Sequence, residues 1–231
     1  MEILKERLAE VTTLHSGGHD PTSGQMCAME AAAYIAGEPW SDHPECVCPV
    51  ISAFARSWND ALPDDERNAL LLPLIPKTVG TRGSPALAER RALMAADWLV
   101  RVNTPAWLRL AGLTVHADAL SALPEITGMS QVPSIRGPIE AARADAAAAR
   151  AAAWDAAWDA ARAAAWAAAR DAAWDAAWAA ARDAARAAAR DAGPEAAATK
   201  LAPVKAELQA SAVLLLERMC ALTEDDIRKA A

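Results

Sequence analysis

Residues 150–190 read RAAAWDAAWDAARAAAWAAARDAAWDAAWAAARDAARAAAR. Every fourth residue is Arg or Trp: Arg150, Trp154, Trp158, Arg162, Trp166, Arg170, Trp174, Trp178, Arg182, Arg186 and Arg190. The residue after each is Ala or Asp. No proline or glycine interrupts the stretch, and alanine has the highest intrinsic helix propensity. The pattern predicts one long helix. Its limits come from the flanks, where Gly137-Pro138 offers a proline for the first turn and Gly193-Pro194 a stop. A helix over 138–192 would run roughly 80 Å at its ordinary rise. Arg182, Arg186 and Arg190 complement the negative pole of the helix dipole at its end, partly offset by Asp183 and Asp191.

A period of four does not match the helix. Each step turns about 400°, so the stripe drifts by roughly 40° per repeat and circles the helix in about 54 Å. A coiled-coil seam has a pitch of about 140–210 Å, so one ordinary partner helix cannot follow this one. Trp154, Trp158, Trp166, Trp174 and Trp178 would wind around the helix. Such a helix is either enclosed on several sides or presents aromatic rings to a partner. The Trp and Arg codons TGG and CGG differ by one base, as do GCC for Ala and GAC for Asp. The tract therefore also fits an expanded four-codon unit altered by point changes.

Working outward, Pro203 predicts a last substantial helix with an apolar stripe of Val204, Leu208, Ala212, Leu215, Met219 and Leu222. Thr223 and Asp226 have the spacing of a capping box for a short terminal turn. Upstream, helices are expected over 2–14, over 25–36 with a stop at Gly37, and over 50–61 with Pro49 in the first turn. Further ones are expected near 64–72, from Ala86 to about Val102, from Thr104-Pro105, and over Thr114–Leu123. A Pro- and Gly-rich connection leads up to Pro85. No run alternates as a strand does, so the fold class is all-α. The domains read as a helical one over 1–123, a linker over 124–137, the long helix over 138–192, and C-terminal helices over 193–231.

The 231 residues are 54% hydrophobic, but alanine supplies much of that and buries little area. Mean hydropathy is only +0.04. A net charge of −7 without a Lys/Arg cluster gives no grip on phosphate backbones, so no nucleic-acid partner is expected. The charged start Met1-Glu-Ile-Leu-Lys-Glu-Arg-Leu8 lacks the apolar stretch of a secretory signal, and Asp and Arg interrupt the alanine tract too often for a membrane span. A cytoplasmic location follows as the expectation, with Cys27, Cys46, Cys48 and Cys220 as free thiols.

His19, Cys27, His43, Cys46 and Cys48 fall close together, with His15 just before them. Thiolates and imidazoles are the natural ligands of tetrahedral zinc. Cys27, His43, Cys46 and Cys48 form the candidate set, with His19 as a substitute ligand. A bound Zn ion would order a small helical domain with long loops. The spacing is Cys-x-Cys where structural zinc motifs usually have two to four residues between, so small buried cysteines and loop histidines are the alternative. A catalytic reading makes Cys27 a nucleophile paired with His19 or His43, with Asp42 as orienter and Glu30 as a further candidate. No glycine-rich phosphate loop, nucleophile elbow or H-E-x-x-H occurs. Trp40, Trp58, Trp98 and Trp107 read as core.

The run from Met26-Cys-Ala-Met-Glu30 through Glu38-Pro-Trp-Ser-Asp-His-Pro-Glu-Cys46 to Ser57-Trp-Asn-Asp60 resembles an uncharacterised protein group of actinobacteria and their phages, and the likeness continues through Ala95-Ala-Asp-Trp-Leu99. That resemblance implies no activity. The Ala/Trp/Arg/Asp tract is similar in composition to tracts in proteins described as immunity proteins. The expected function is a non-enzymatic helical scaffold or interaction protein that self-associates, as a homo-oligomer, or binds a protein partner through the long helix. The alternatives are a metal- or cysteine-dependent enzyme centred on Cys27 and His43, and an immunity or phage counter-defence binding protein.

Overall fold

A computed structural model of the chain describes residues 2–148 and 194–230. Among those residues the protein is helical and contains no strand, so the all-α class holds. The chain divides into two compact units, Met1–Arg91 with Val213–Ala231, and Ala92–Ala212. This differs from the sequential domains expected from composition, because the last residues of the chain belong with the first.

In unit 1, α1 spans Lys5–Glu10, shorter than the expected 2–14. The amide of Leu4 donates to Ile35 O at 2.9 Å, and that of Leu14 to Asn68 Oδ1 at 2.7 Å, so tertiary bonds hold both flanks outside the helix. Helix α2, Ala28–Ala36, begins at Cys27 and ends at Gly37, whose φ of 76° only glycine adopts freely. Nearly all of its residues are buried, so it is the central helix of this unit. It packs against α1, against α3 (Pro49–Ala61) and against α5 (Ile75–Thr78). Helix α4, Asp64–Leu71, has Asp64, Asp65 and Glu66 in its first turn, where the dipole favours them. A 3₁₀ turn over Leu72–Leu74 and α5 occupy part of the expected connection, with Pro73 and Pro76 each in a first turn. Trp58 and Phe54 of α3 stack edge to face at 5.6 Å in the core with Met29, Ile35, Ile51, Leu71 and Ile75.

Two arginines, each only 2% exposed, close helix ends in this unit. Arg67 donates to Asn59 O at 2.7 Å and Leu62 O at 2.6 Å, the carbonyls left over at the end of α3. Arg91 donates to Met219 O at 2.8 Å and Leu222 O at 2.9 Å, at the end of α10 (Pro194–Ala221), and to Thr81 O at 2.5 Å. A cation at a helix C-terminus also meets the negative end of the dipole. Helix α11, Glu224–Ala230, follows. Its Glu224 accepts from Ser84 N at 2.7 Å and Ser84 Oγ at 2.9 Å, just before α6, which spans Pro85–Trp98. Gly83 leaves room for that carboxylate, since a Cβ there would sit 2.8 Å from Glu224 Oε1. The expected pairing of Thr223 with Asp226 is present, with Thr223 N donating to the Asp226 carboxylate at 2.9 Å.

In unit 2, α6 runs into a π-helical turn, Leu99–Asn103, and on into α7, Thr104–Leu110. The amide of Thr104 reaches back five residues to Leu99 O. Pro105 has no N–H to continue an ordinary ladder, and the wider turn absorbs the mismatch. Helix α8, Thr114–Ser121, follows. Then a 3₁₀ turn over Met129–Gln131 leads into α9, Val132–Ala148. The linker expected over 124–137 is thus helical in its last part, and Gly137-Pro138 lies inside a helix rather than at its start. Pro138 removes one backbone bond, a cost of about 3 kcal/mol. Burial of Ile135 and Ala142, with Ile139 packed beside them, opposes that cost by docking α9 on Leu93, Val100, Leu108, Ala117, Leu120 and Ile126. Likewise α10 begins at Pro194, not at the expected Pro203, which lies within it. Trp98 Nε1 donates to Ser211 Oγ of α10 at 2.9 Å. The expected helix over 138–192 lies outside the described residues from 149 onward.

Replacing Arg91 by Met should leave three buried or half-buried carbonyls unsatisfied and lower the unfolding free energy by about 3 kcal/mol, read from the urea midpoint. Acid should loosen α11 for a separate reason. The Ser84 bonds hold the Glu224 carboxyl below its ordinary 4.5. A depressed carboxylate contributes stability above its unfolded value and loses it as pH falls through the folded one. The Ser84 amide resonance should therefore stay constant above about pH 4.5, move below it, and lose this dependence in Glu224→Gln.

Candidate functional site

The residues nominated for chemistry lie in unit 1, in different local networks. The best-built one surrounds Glu30, which is 2% exposed. Its Oε1 accepts from His19 N at 2.7 Å, and its Oε2 from Cys27 N at 2.7 Å. Oε2 also meets His19 Nδ1 at 2.9 Å. Glu30 N in turn donates to Cys27 Sγ at 3.5 Å. Cys27 and Glu30 thus form a capping box at the start of α2, with a thiol in the place of the usual hydroxyl. Burial pushes the Cys27 thiol up to about 12, reinforced by the Glu30 charge and only partly offset by the amides of Glu30 and Met29. A thiol held this far up is protonated at neutral pH, as befits a buried residue that caps a helix.

The loop that carries His15 and His19 is fixed from several sides. Asn59, wholly buried, accepts from Ala28 N at 3.2 Å and donates to His15 O at 2.8 Å. Asp60 Oδ1 accepts from Gly17 N at 2.7 Å. Trp40 Nε1 donates to His19 O at 2.8 Å, and His15 N to Met26 O at 2.8 Å. Side chains of α2, α3 and α4, and Trp40 of the loop after α2, therefore hold residues 14–19. The His15 and His19 rings meet edge to face at 5.8 Å. A carboxylate only accepts, so the proton of neutral His19 sits on Nδ1 and leaves the Nε2 lone pair free. The His19 side chain is 9% exposed. His15 Nδ1 is buried and has no hydrogen-bond partner among the described residues.

The other candidates are engaged elsewhere. His43 is 64% exposed in its side chain and bonds Asp42 Oδ1 at 2.6 Å. Arg56 bonds both Asp42 and the His43 ring. Partial burial raises the Asp42 carboxyl, but His43 and Arg56 outweigh it and hold it low. Cys46 is buried and its thiol is pushed up to about 11 by burial and then by Glu38. Cys48 precedes α3, with its amide on Thr81 Oγ1 at 3.0 Å. Among the described residues no three His, Cys, Asp or Glu side chains converge as ligands of a metal ion. The structure therefore does not bring Cys27, His43, Cys46 and Cys48 to one point: the three thiols are buried, and His43 stands at the surface. Trp154, Trp158, Trp166, Trp174 and Trp178 lie outside the described residues.

Sequence reasoning missed the parts played by His15, Asn59, Asp60 and Trp40. The one available signal was the Cys-x-x-Glu spacing before an apolar run, which is a capping box once Cys stands for Ser. No family model matches the chain, and neither a curated protein nor a solved structure matches it. Among the described residues no helix is long and apolar enough to cross a membrane.

Cys27→Ser should keep the fold, with a stability change within about 1 kcal/mol, because serine is a preferred cap. Glu30→Gln should cost about 2 kcal/mol by weakening charge-assisted bonds in a buried site. Thermal melts of the two variants side by side check both values. Native Cys27 should resist iodoacetamide at neutral pH until denaturant is added.

Proposed function

We propose that the chain is a non-catalytic helical interaction protein that associates with a second copy of itself through the Trp/Arg-bearing segment. The observation that supports this is the four-residue repeat, which places Trp154, Trp158, Trp166, Trp174 and Trp178 in one register among small residues. On a helix that register winds about the axis, and a single neighbouring helix cannot cover it. Helix α9 reaches Ala148 and α10 starts at Pro194, so described helices border the segment on both sides. The polar groups of unit 1 add weight, since Glu30, Asn59, Arg67 and Arg91 all direct hydrogen bonds at backbone groups. A thiol at about 12 weighs against the reading of Cys27 as a nucleophile.

Sedimentation equilibrium of the full chain should give an oligomer. The variant with all five of these tryptophans changed to Ala should sediment as a monomer with undiminished helical circular dichroism. A wild-type monomer whose tryptophans are shielded from acrylamide would sink the proposal, because the rings would then be covered within one chain.

A further inference from the structure

We propose that His15 and His19 form a two-imidazole site for a divalent transition-metal ion of the zinc, cobalt or nickel kind, with Glu30 as the outer carboxylate that orients His19. Three observations point there. First, His19 Nδ1 is held by Glu30 at 2.9 Å, which is the support a metal-bound histidine ordinarily has behind it. That bond leaves Nε2 as the coordinating nitrogen. Second, His15 Nδ1 is shielded from water and bonds nothing among the described residues. A buried nitrogen without a partner is costly, and a metal ion would give it one. Third, the ring centres lie 5.8 Å apart. With metal–nitrogen bonds of about 2.1 Å and ring centres about 1 Å behind the nitrogens, two imidazoles on one ion have centres about 5–6 Å apart.

The loop is also prepared for such a task. Asn59 fixes His15 O, Trp40 fixes His19 O, and Asp60 fixes Gly17 N between them. Both imidazoles are thereby carried on backbone held by side chains distant in sequence, and little ordering is left for the ion to impose. Two imidazoles select borderline cations over the hard ions Mg²⁺ and Ca²⁺, which take oxygen ligands. Water or a donor from outside the chain would fill the remaining positions. This site shares no thiol with the Cys27, Cys46 and Cys48 set.

The test is a Zn²⁺ titration of the chelator-stripped full chain, followed through the imidazole nitrogen resonances. The expected result is one equivalent bound with shifts at His15 and His19 and none at His43 or His116, and no competition from excess Mg²⁺. His15→Asn and His19→Asn should each weaken binding at least tenfold, and Glu30→Gln by about 10–100-fold. Unmoved His15 and His19 signals at excess Zn²⁺ overturn the proposal. So does a His15→Asn variant that binds as tightly as the parent. Co²⁺ loading provides an independent reading: an intense thiolate charge-transfer band would place the ion on cysteines instead and overturn it as well. If a variant fails to fold, the titration of the unaltered chain still decides.

Discussion

A protein built of short helices has many helix ends, and each end leaves amides or carbonyls without a partner in the ladder. Where such ends are buried, something other than water must meet them. Here buried polar side chains do so. Arg67 closes α3, Arg91 closes α10, Asn59 takes an amide at the start of α2, and Glu30 takes the Cys27 amide beside it. Removing one partner leaves the other buried and unpaired, which is the expensive half of a hydrogen bond. The arrangement of unit 1 depends on these few side chains more than on any single apolar contact, because α2 is mostly alanine and each alanine contributes little area.

Much of the helical layout was legible. Gly37 ends α2, Pro49 opens α3, and the acidic run Asp64-Asp65-Glu66 opens α4, each by a local rule that acts within one turn. Two of the misreadings came from proline. Pro138 and Pro203 look like starts but lie inside α9 and α10. Whether a helix tolerates an interior proline depends on what its faces bury, and that is a tertiary matter. For α9 the stripe Ile135, Ile139 and Ala142 answers it.

The site was less legible than the fold. Cysteines and histidines close in sequence suggested one zinc cluster; in the structure the three thiols are buried, Cys27 caps α2, and His43 pairs with Asp42 and Arg56 at the surface. Spacing along a chain says little about convergence: His43, Cys46 and Cys48 share one loop, yet the thiols turn into the core while His43 stands at the surface. What the sequence could not show is the pairing of His15 with His19, because it rests on Asn59, Asp60 and Trp40, which lie 21 to 44 residues from their partners in the loop.

The membership of Val213–Ala231 in the first unit has a consequence for synthesis. Residues 1–91 leave the ribosome long before the carbonyls of Met219 and Leu222 exist, so Arg91 waits with two of its acceptors unmade. Ser84 waits likewise for Glu224. The first unit to begin is therefore the last to finish, and the whole alanine tract is translated in the interval. A chain that ends between the tract and Met219 lacks two of the three carbonyls that Arg91 meets, and keeps only Thr81 O.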